Sequence, residues 1–263
     1  MSDGIAGCAR YLYNLSDPQR DELTREFLST RTYSTRDRFV CFEIEGAERF
    51  SNIARQVERE VFQKSFGNDA VMLAGEYEPY EASSLFFLAI DTEKKVPAGA
   101  MRMIRNSSAG LKTLVDLADG ARTPIPVRTD DVRRHHGINE LDRCWDGASA
   151  AVPRRYRRSL AAIHRQTLSA WYAAAVRENV EHFVSILDAP VYMIVRRIFG
   201  LPVVPLAGTA PFTYMGGLNH QAVYAHLPTT LTIAASGNRK LGQNVQQCFA
   251  EKRFPGLDLP THR

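Results

Sequence analysis

The centre of the chain has the plainest alternation of apolar and polar stretches. Residues 85–91 are a continuous apolar run ending at Asp91, residues 92–95 are polar, and residues 96–104 return to apolar side chains. That pattern predicts two strands joined by a tight turn. Pro97 has no N–H for a ladder, so it belongs near the start of its strand or on an edge. Helices are predicted from Ser16 or Asp17 to residue 28, with Pro18 in the first turn, and after Ser51, where Ile53, Val57, Val61 and Phe62 share a face. A strand is predicted at 38–44, and a short one at 71–74. A short helix or turn is expected over 111–117, a long loop over 119–137, and a strand over 138–145. Then follow a helix over 159–179 (striped by Leu160, Ile163, Leu168, Trp171 and Ala175), a strand at 181–187, and a helix from Asp188 that closes on Gly200. Further strands are expected at 201–206, 221–226 and 229–234, and a last helix near 239–252.

The order is helix, antiparallel hairpin, strand, helix, strand, helix, strand. This predicts a mixed α/β (α+β) fold with a central, partly antiparallel sheet flanked by helices. With 263 residues, 44% of them hydrophobic, the chain can bury a core without disulfides or metals. No apolar run reaches the ~18–20 residues of a membrane span. The first residues show no basic-then-apolar export signal. Cys8, Cys41, Cys144 and Cys248 have no paired spacing, so reduced thiols and a cytoplasmic location are expected, with no metal site.

Charge changes this picture in one place. Residues 121–165 hold ten arginines, no lysine and five acids, an excess of +5 in a chain whose net charge is +4, so the remainder sums to −1. A segment like this seeks an anion: a phosphate-bearing cofactor, an acidic protein or nucleic acid. The balance elsewhere argues against nucleic acid.

Four patterns could carry chemistry. Glu76, Glu78 and Glu81 crowd three carboxylates around Tyr77 and Tyr80, which could hold an ammonium group or take its proton; a solvated acidic turn would look the same. Glu140 and Asp142 share one face of the predicted 138–145 strand, with Leu141 and Arg143 on the other. A carboxylate on the inner face would suit a general base, and an edge-strand ion pair is the plainer alternative. Arg102, inside an apolar hairpin, needs carboxylate partners if buried, with Glu76, Glu78, Glu81 and Glu140 the candidates. Arg154, Arg155, Arg157 and Arg158 precede a helix and suit an anion.

In order and approximate spacing these residues resemble the acyl-homoserine-lactone (autoinducer) synthases and the related long-chain N-acyl amino acid synthases. That family carries E-x-D-x-Y-D, then G-x-x-R-L, then M/L-x-x-x-F, then E-x-S-R. Here stand Glu76-x-Glu78-x-Tyr80-Glu81, then Gly99 to Arg102-Met103, then Leu114 with Leu117, then Glu140 to Arg143, within about residues 50 to 206. The resemblance implies a GNAT acyltransferase fold and acyl transfer from a phosphopantetheine thioester to an amine. It implies Glu140, then Glu76, as base and Arg143 as an organiser of the acids. Glu78, Glu81, Arg102, Phe62 and Trp145 would line the substrate site. Arg154, Arg155, Arg157 and Arg158 would meet an acyl carrier protein or CoA thioester as donor, and no cofactor would be bound permanently. In the family's R-x-x-x-F-x-x-x-x-x-W, Phe62 matches, while Glu58 and Asn68 replace the Arg and Trp. S-adenosylmethionine is therefore disfavoured as acceptor against an amino acid or similar small amine. The glycine-poor 154–159 segment favours a carrier-protein donor over acetyl-CoA. The expected division is an N-terminal helical extension (1–37), a GNAT-like domain (38–235) and a C-terminal helix and tail (236–263), with a homodimer as an open expectation. The alternative reading is a catalytically inactive GNAT-like ligand-binding or regulatory protein.

Overall fold

The computed structural model describes residues 11–34, 36–197 and 202–230, which divide into two compact units. The first comprises the chain up to Ile104 and Ser149–Thr167; the second comprises Arg105–Ala148 and the chain from Leu168 onward.

The first unit opens with α1 (Asp17–Ser29). Ser16 caps it reciprocally with Gln19, so two otherwise orphaned N–H groups are satisfied. Next come β1 (Phe39–Glu45), α2 (Ser51–Phe66) and α3 (Ala70–Tyr77). The strand expected at 71–74 is therefore a helix. Asp69 caps it through the N–H groups of Val71 and Met72, and that cap decides how a four-residue apolar run folds. After a 3-10 turn over Glu78–Tyr80, β2 (Ser84–Asp91) and β3 (Val96–Arg105) form the predicted hairpin. β1 pairs with β2 and β2 with β3, both antiparallel. The register shifts between Ala89 and Ile90, beside Pro97, which is how the ladder accommodates a residue without an N–H. Leu23, Phe27, Ile44, Ile53, Val57, Phe86 and Leu88 form the core of this unit.

In the second unit, α4 (Lys112–Ala118) is followed by α5 (Thr129–His136), a helix inside the stretch expected to be a loop. Gly137 ends α5 in the left-handed region at φ 67°. β4 (Cys144–Ala151) belongs to this unit as far as Ala148 and α6 (Leu160–Arg177) from Leu168 on, and β5 (His182–Leu187) and α7 (Ala189–Arg197) belong to it entirely. The strand expected over 201–206 shrinks to β6 (Val204–Pro205) before a 3-10 turn, and β7 (Phe212–Tyr214) and β8 (Gly217–His226) make a hairpin. β4 and β5 pair in parallel, whereas β8 pairs antiparallel with β5, β6 and β7. Leu111, Leu114, Leu117, Val132, Ile138, Val184 and Ala222 are the core beneath α4 and α5.

The predicted class, α/β with a mixed and partly antiparallel sheet flanked by helices, is the class observed. The strand expected over 138–145 begins only at Cys144: residues 138–140 are irregular and Leu141–Arg143 form a 3-10 turn. Gly200 and the 239–252 helix lie outside the described residues, as does the 229–234 strand from 231 on; residues 227–230 are helical. No helix among the described residues is long and apolar enough to cross a membrane.

Candidate functional site

Two buried polar clusters stand out, one in each unit. In the first, Arg102 projects from the apolar strand β3 and is fully buried. Its Nε and Nη2 donate to Glu58 at 3.0 and 2.7 Å, and Nη2 also donates to the Tyr13 hydroxyl at 2.5 Å. Tyr13 in turn donates to Glu81 at 2.5 Å, and Glu81 lies 3.5 Å from Arg102 Nη1. Arg55, one turn before Glu58 on α2, donates to Glu81 through Nε and Nη2 and to the Gly46 carbonyl. Ser149 donates to Glu58. Two guanidinium groups thus face two carboxylates with almost every polar atom bonded, the arrangement that lets charges stay buried. Burial opposes the charge on Arg102, but Glu58, Tyr13 and Glu81 outweigh it and hold its pKa well above the usual value. Burial likewise pushes Glu81 up, and Arg102 with Arg55 brings it below the ordinary range.

The acidic run expected to act together is split by its backbone. Glu81 is buried in the cluster, Glu78 is exposed in the 3-10 turn, and Glu76 is half-buried at the end of α3. The principal partner of Arg102 is Glu58, a position outside the four carboxylates expected from sequence. Phe62 is half-buried against Phe66, with ring centroids 5.6 Å apart.

Glu140 and Arg143 do not occupy an inner strand face. Glu140 is exposed in the turn before β4, and Arg143, half-buried, bonds Glu181 at 2.7 Å and the Asn179 carbonyl at 3.2 Å. The carboxyl that does lie within β4 is Asp146, fully buried two residues after the 3-10 turn's cap. Asp146 accepts from the backbone N–H of Thr113 and from Thr113 Oγ1 at 2.9 Å. Burial raises its pKa, and the Thr113 bonds and Lys112 limit the rise, which reaches about 7. Lys112 donates to Asp116 and, at 2.6 Å, to Tyr214, whose hydroxyl donates to Asp116 at 2.5 Å. The turn that presents Thr113 is thereby tied to β7. Sequence patterning missed Asp146; the signal was a single acid inside the apolar run Cys144-Trp145-Asp146-Gly147-Ala148.

Trp145 is buried beside Asp146, with the Arg105 guanidinium 5.7 Å from its ring. One residue beyond Asp146 the parallel pairing ends, at Gly147 opposite Ser185. Gly147 is required there because a Cβ would lie 2.5 Å from the Phe183 ring. Gly147→Ala should therefore destabilise the fold by about 1–3 kcal/mol through overpacking. Urea unfolding measures this, and an unchanged midpoint would refute the close approach. Gly99 has a similar reason, since its Cβ would meet Ile163 at 2.6 Å.

The four arginines before α6 lie in a 3-10 turn, all exposed. Arg155 is held by Glu60 at 2.6 and 2.7 Å, whereas Arg154, Arg157 and Arg158 have no ion-pair partner among the described residues. No group of three metal-ligating side chains occurs among the described residues.

No protein-family model matches the chain, and a search of curated proteins returns no match. Solved structures do match. FeeM, an N-acyl amino acid synthase from uncultured soil microbes, superposes with a TM-score of 0.52 at 15% identity, covering 74% of this chain and 93% of its own. TofI, in a ternary complex with an inhibitor and MTA, gives 0.49 at 17%, covering 72% and 91%. BjaI, a CoA-dependent acyl-homoserine lactone synthase, gives 0.47 at 13%, covering 80% and 89%. The fold is that of the GNAT-like acyltransferases, as the FeeM superposition shows.

Proposed function

We propose that this protein is an N-acyltransferase that moves an acyl group from a phosphopantetheine thioester, on acyl carrier protein or CoA, to the amine of an amino acid or similar small acceptor. The fold shared with an N-acyl amino acid synthase supports the class. The observation that carries the chemistry is Asp146, a carboxyl poised at about 7 in β4, one residue before the β4–β5 pairing ends. A base poised near the working pH combines a useful ionised fraction with a useful proton affinity. In this reading Asp146 takes one proton from the acceptor's ammonium group. The freed nitrogen attacks the thioester carbonyl, the N–C bond forms, and the C–S bond breaks. The second amine proton goes to the departing thiolate, and Asp146 releases its proton to solvent. Glu140, exposed in the turn before β4, and Glu76, half-buried at the end of α3, are not the base in this reading. The buried Arg102–Glu58–Glu81 group gives the first unit a fixed frame.

The test is direct. The full chain, mixed with acyl carrier protein thioesters and acyl-CoAs of graded length and a panel of amines, should yield amide and free thiol in equal amounts. Absence of both across the panel would refute the proposal and leave an inactive GNAT-like binding protein.

The three unpaired arginines suit the acidic surface or phosphate of the donor. Arg157→Glu with Arg158→Glu should raise the KM for a carrier-protein thioester roughly tenfold, an effect that shrinks at high salt. An unchanged KM at low salt would remove this face from donor binding.

A further inference from the structure

We propose that Thr113 is a positioning residue of the acyl transfer, that its two donors hold the Asp146 carboxyl in its working orientation, and that Tyr214 holds Thr113 in place from β7. This rests on the N-acyltransferase reading, in which Asp146 is the base. Asp146 is fully buried, and Thr113 is its sole hydrogen-bond partner among the described residues. The Thr113 N–H donates to Oδ2 and the Thr113 hydroxyl to Oδ1, so one residue engages both oxygens and fixes the plane of the carboxyl group. A buried carboxylate without donors would take up a proton and stay neutral. Donors aimed at it favour the ionised form, which is the form a base needs.

The other groups around Asp146 leave that task to Thr113. From α4, Lys112 lowers the pKa of Asp146 and Asp116 raises it, so the two charges work against each other. On its own strand, Cys144 is a buried thiol held well above its usual pKa, and it is neutral. Its partner across β5 is the apolar Val184. Burial is the largest influence on Asp146, and the two Thr113 bonds are the largest that oppose it. The turn that carries Thr113 is fixed from outside α4. Lys112 and Asp116, 3% and 4% exposed, bond each other one turn apart. Tyr214 bonds both: its hydroxyl accepts from Lys112 at 2.6 Å and donates to Asp116 at 2.5 Å. Arg122 adds a contact to Asp116 at 3.4 Å. The Thr113 N–H cannot move without its backbone, so its aim at Asp146 depends on where α4 is held. Tyr214 contributes to that hold while making no hydrogen bond to Asp146 itself.

Carbon-13 NMR of the full chain, with its aspartates labelled at Cγ, tests this. The Asp146 signal is the one missing from Asp146→Asn, and in the wild type it should titrate with a midpoint of about 7. Thr113→Val keeps the side chain's size and the backbone N–H but removes the hydroxyl. Its midpoint should rise by about one pH unit, the worth of one hydrogen bond to a charged group. Thr113→Ser restores the donor and should return the midpoint to the wild-type value. Tyr214→Phe leaves both Thr113 donors present and should still raise the midpoint by about half a pH unit, because the turn is released. The acid limb of kcat/KM should move with the midpoint in each variant. A merely structural role would lower stability and leave the midpoint where it is. An unmoved midpoint in Thr113→Val would overturn the role of Thr113, and one in Tyr214→Phe that of Tyr214; the second variant decides the matter if the first does not fold. Raised midpoints with no amide formed from any donor and amine would refute the N-acyltransferase reading and leave the clamp standing. Amide formation with unmoved midpoints would do the reverse.

Discussion

Asp146→Asn should reduce amide formation by about 10²–10⁴-fold, the range expected when a positioned general base is lost. Asparagine keeps the shape and still accepts from Thr113, but it cannot take a proton. The same substitution should not weaken the fold at neutral pH. Asp146 has its pKa raised to about 7 by burial, so the folded chain holds that proton more tightly than the unfolded chain does. Its favourable contribution is complete below the unfolded carboxyl value of ~3.9 and is lost as pH rises through about 7, where ionisation places a charge in the core. The Asn variant should therefore flatten the decline in stability between those limits while losing turnover throughout. In the wild type, kcat/KM should rise with pH along a limb with an apparent pKa near 7, because the ionised carboxyl is the active form. Full activity in Asp146→Asn, or an acid limb near pH 4 instead of 7, would exclude Asp146 as base. Glu140→Gln is the matched control, and it should stay within about threefold of wild type because its side chain is exposed in the turn before β4, outside the buried Asp146–Thr113 group. A collapse of turnover in Glu140→Gln with Asp146→Asn unaffected would return the role to the exposed acid.

How much of this was visible in the sequence depended on the length of the local signal. The β2–β3 hairpin was legible because six consecutive apolar residues, a polar turn and a return run leave one solution. The helix caps at Ser16 and Asp69 are equally local, yet only the first was read, because Val71 to Ala74 also suits a short strand. The candidate site was less legible for two reasons. Arg102's need for carboxylates was plain, and Glu81 meets part of it, but its main partner Glu58 lies 44 residues away on a helix whose apolar face dominates the pattern. The second reason is register. Glu140 to Arg143 fit a motif by letter, but the strand starts at Cys144, so the inward acid is Asp146. A shift of a few residues in a strand boundary decides which carboxyl is solvated and which is tuned, and periodicity over so short a stretch does not set that boundary.

Arg102→Met should be the most destabilising single change in the first unit, costing about 3–5 kcal/mol because it leaves Glu58 buried with no guanidinium partner. For a chain of this size that is a fall in melting temperature of roughly 6–20 °C. The loss would come from the abandoned carboxylate more than from the vanished attraction, and a second substitution separates the two. Glu58→Leu placed on Arg102→Met removes the orphaned charge, and Glu81 still keeps Arg55 and Tyr13. The double variant should recover at least half of the deficit, a non-additivity that a simple sum of two lost contacts would not produce. Acid should act in the same direction as the single variant. Burial pushes Glu81 up, but Arg102 and Arg55 hold it below the ordinary carboxylate range. The stability it supplies is thus present above its unfolded value of ~4.3 and is lost as pH falls through the lowered folded one. With Arg102 removed that lowering shrinks, so the variant's stability should depend less steeply on pH at the acid end. Thermal melts followed by circular dichroism at pH 7 and at pH 3–5 measure both effects. A single variant within about 1 kcal/mol of wild type, or a double variant worse than the single, would show that the cluster is not what holds α2 against β3.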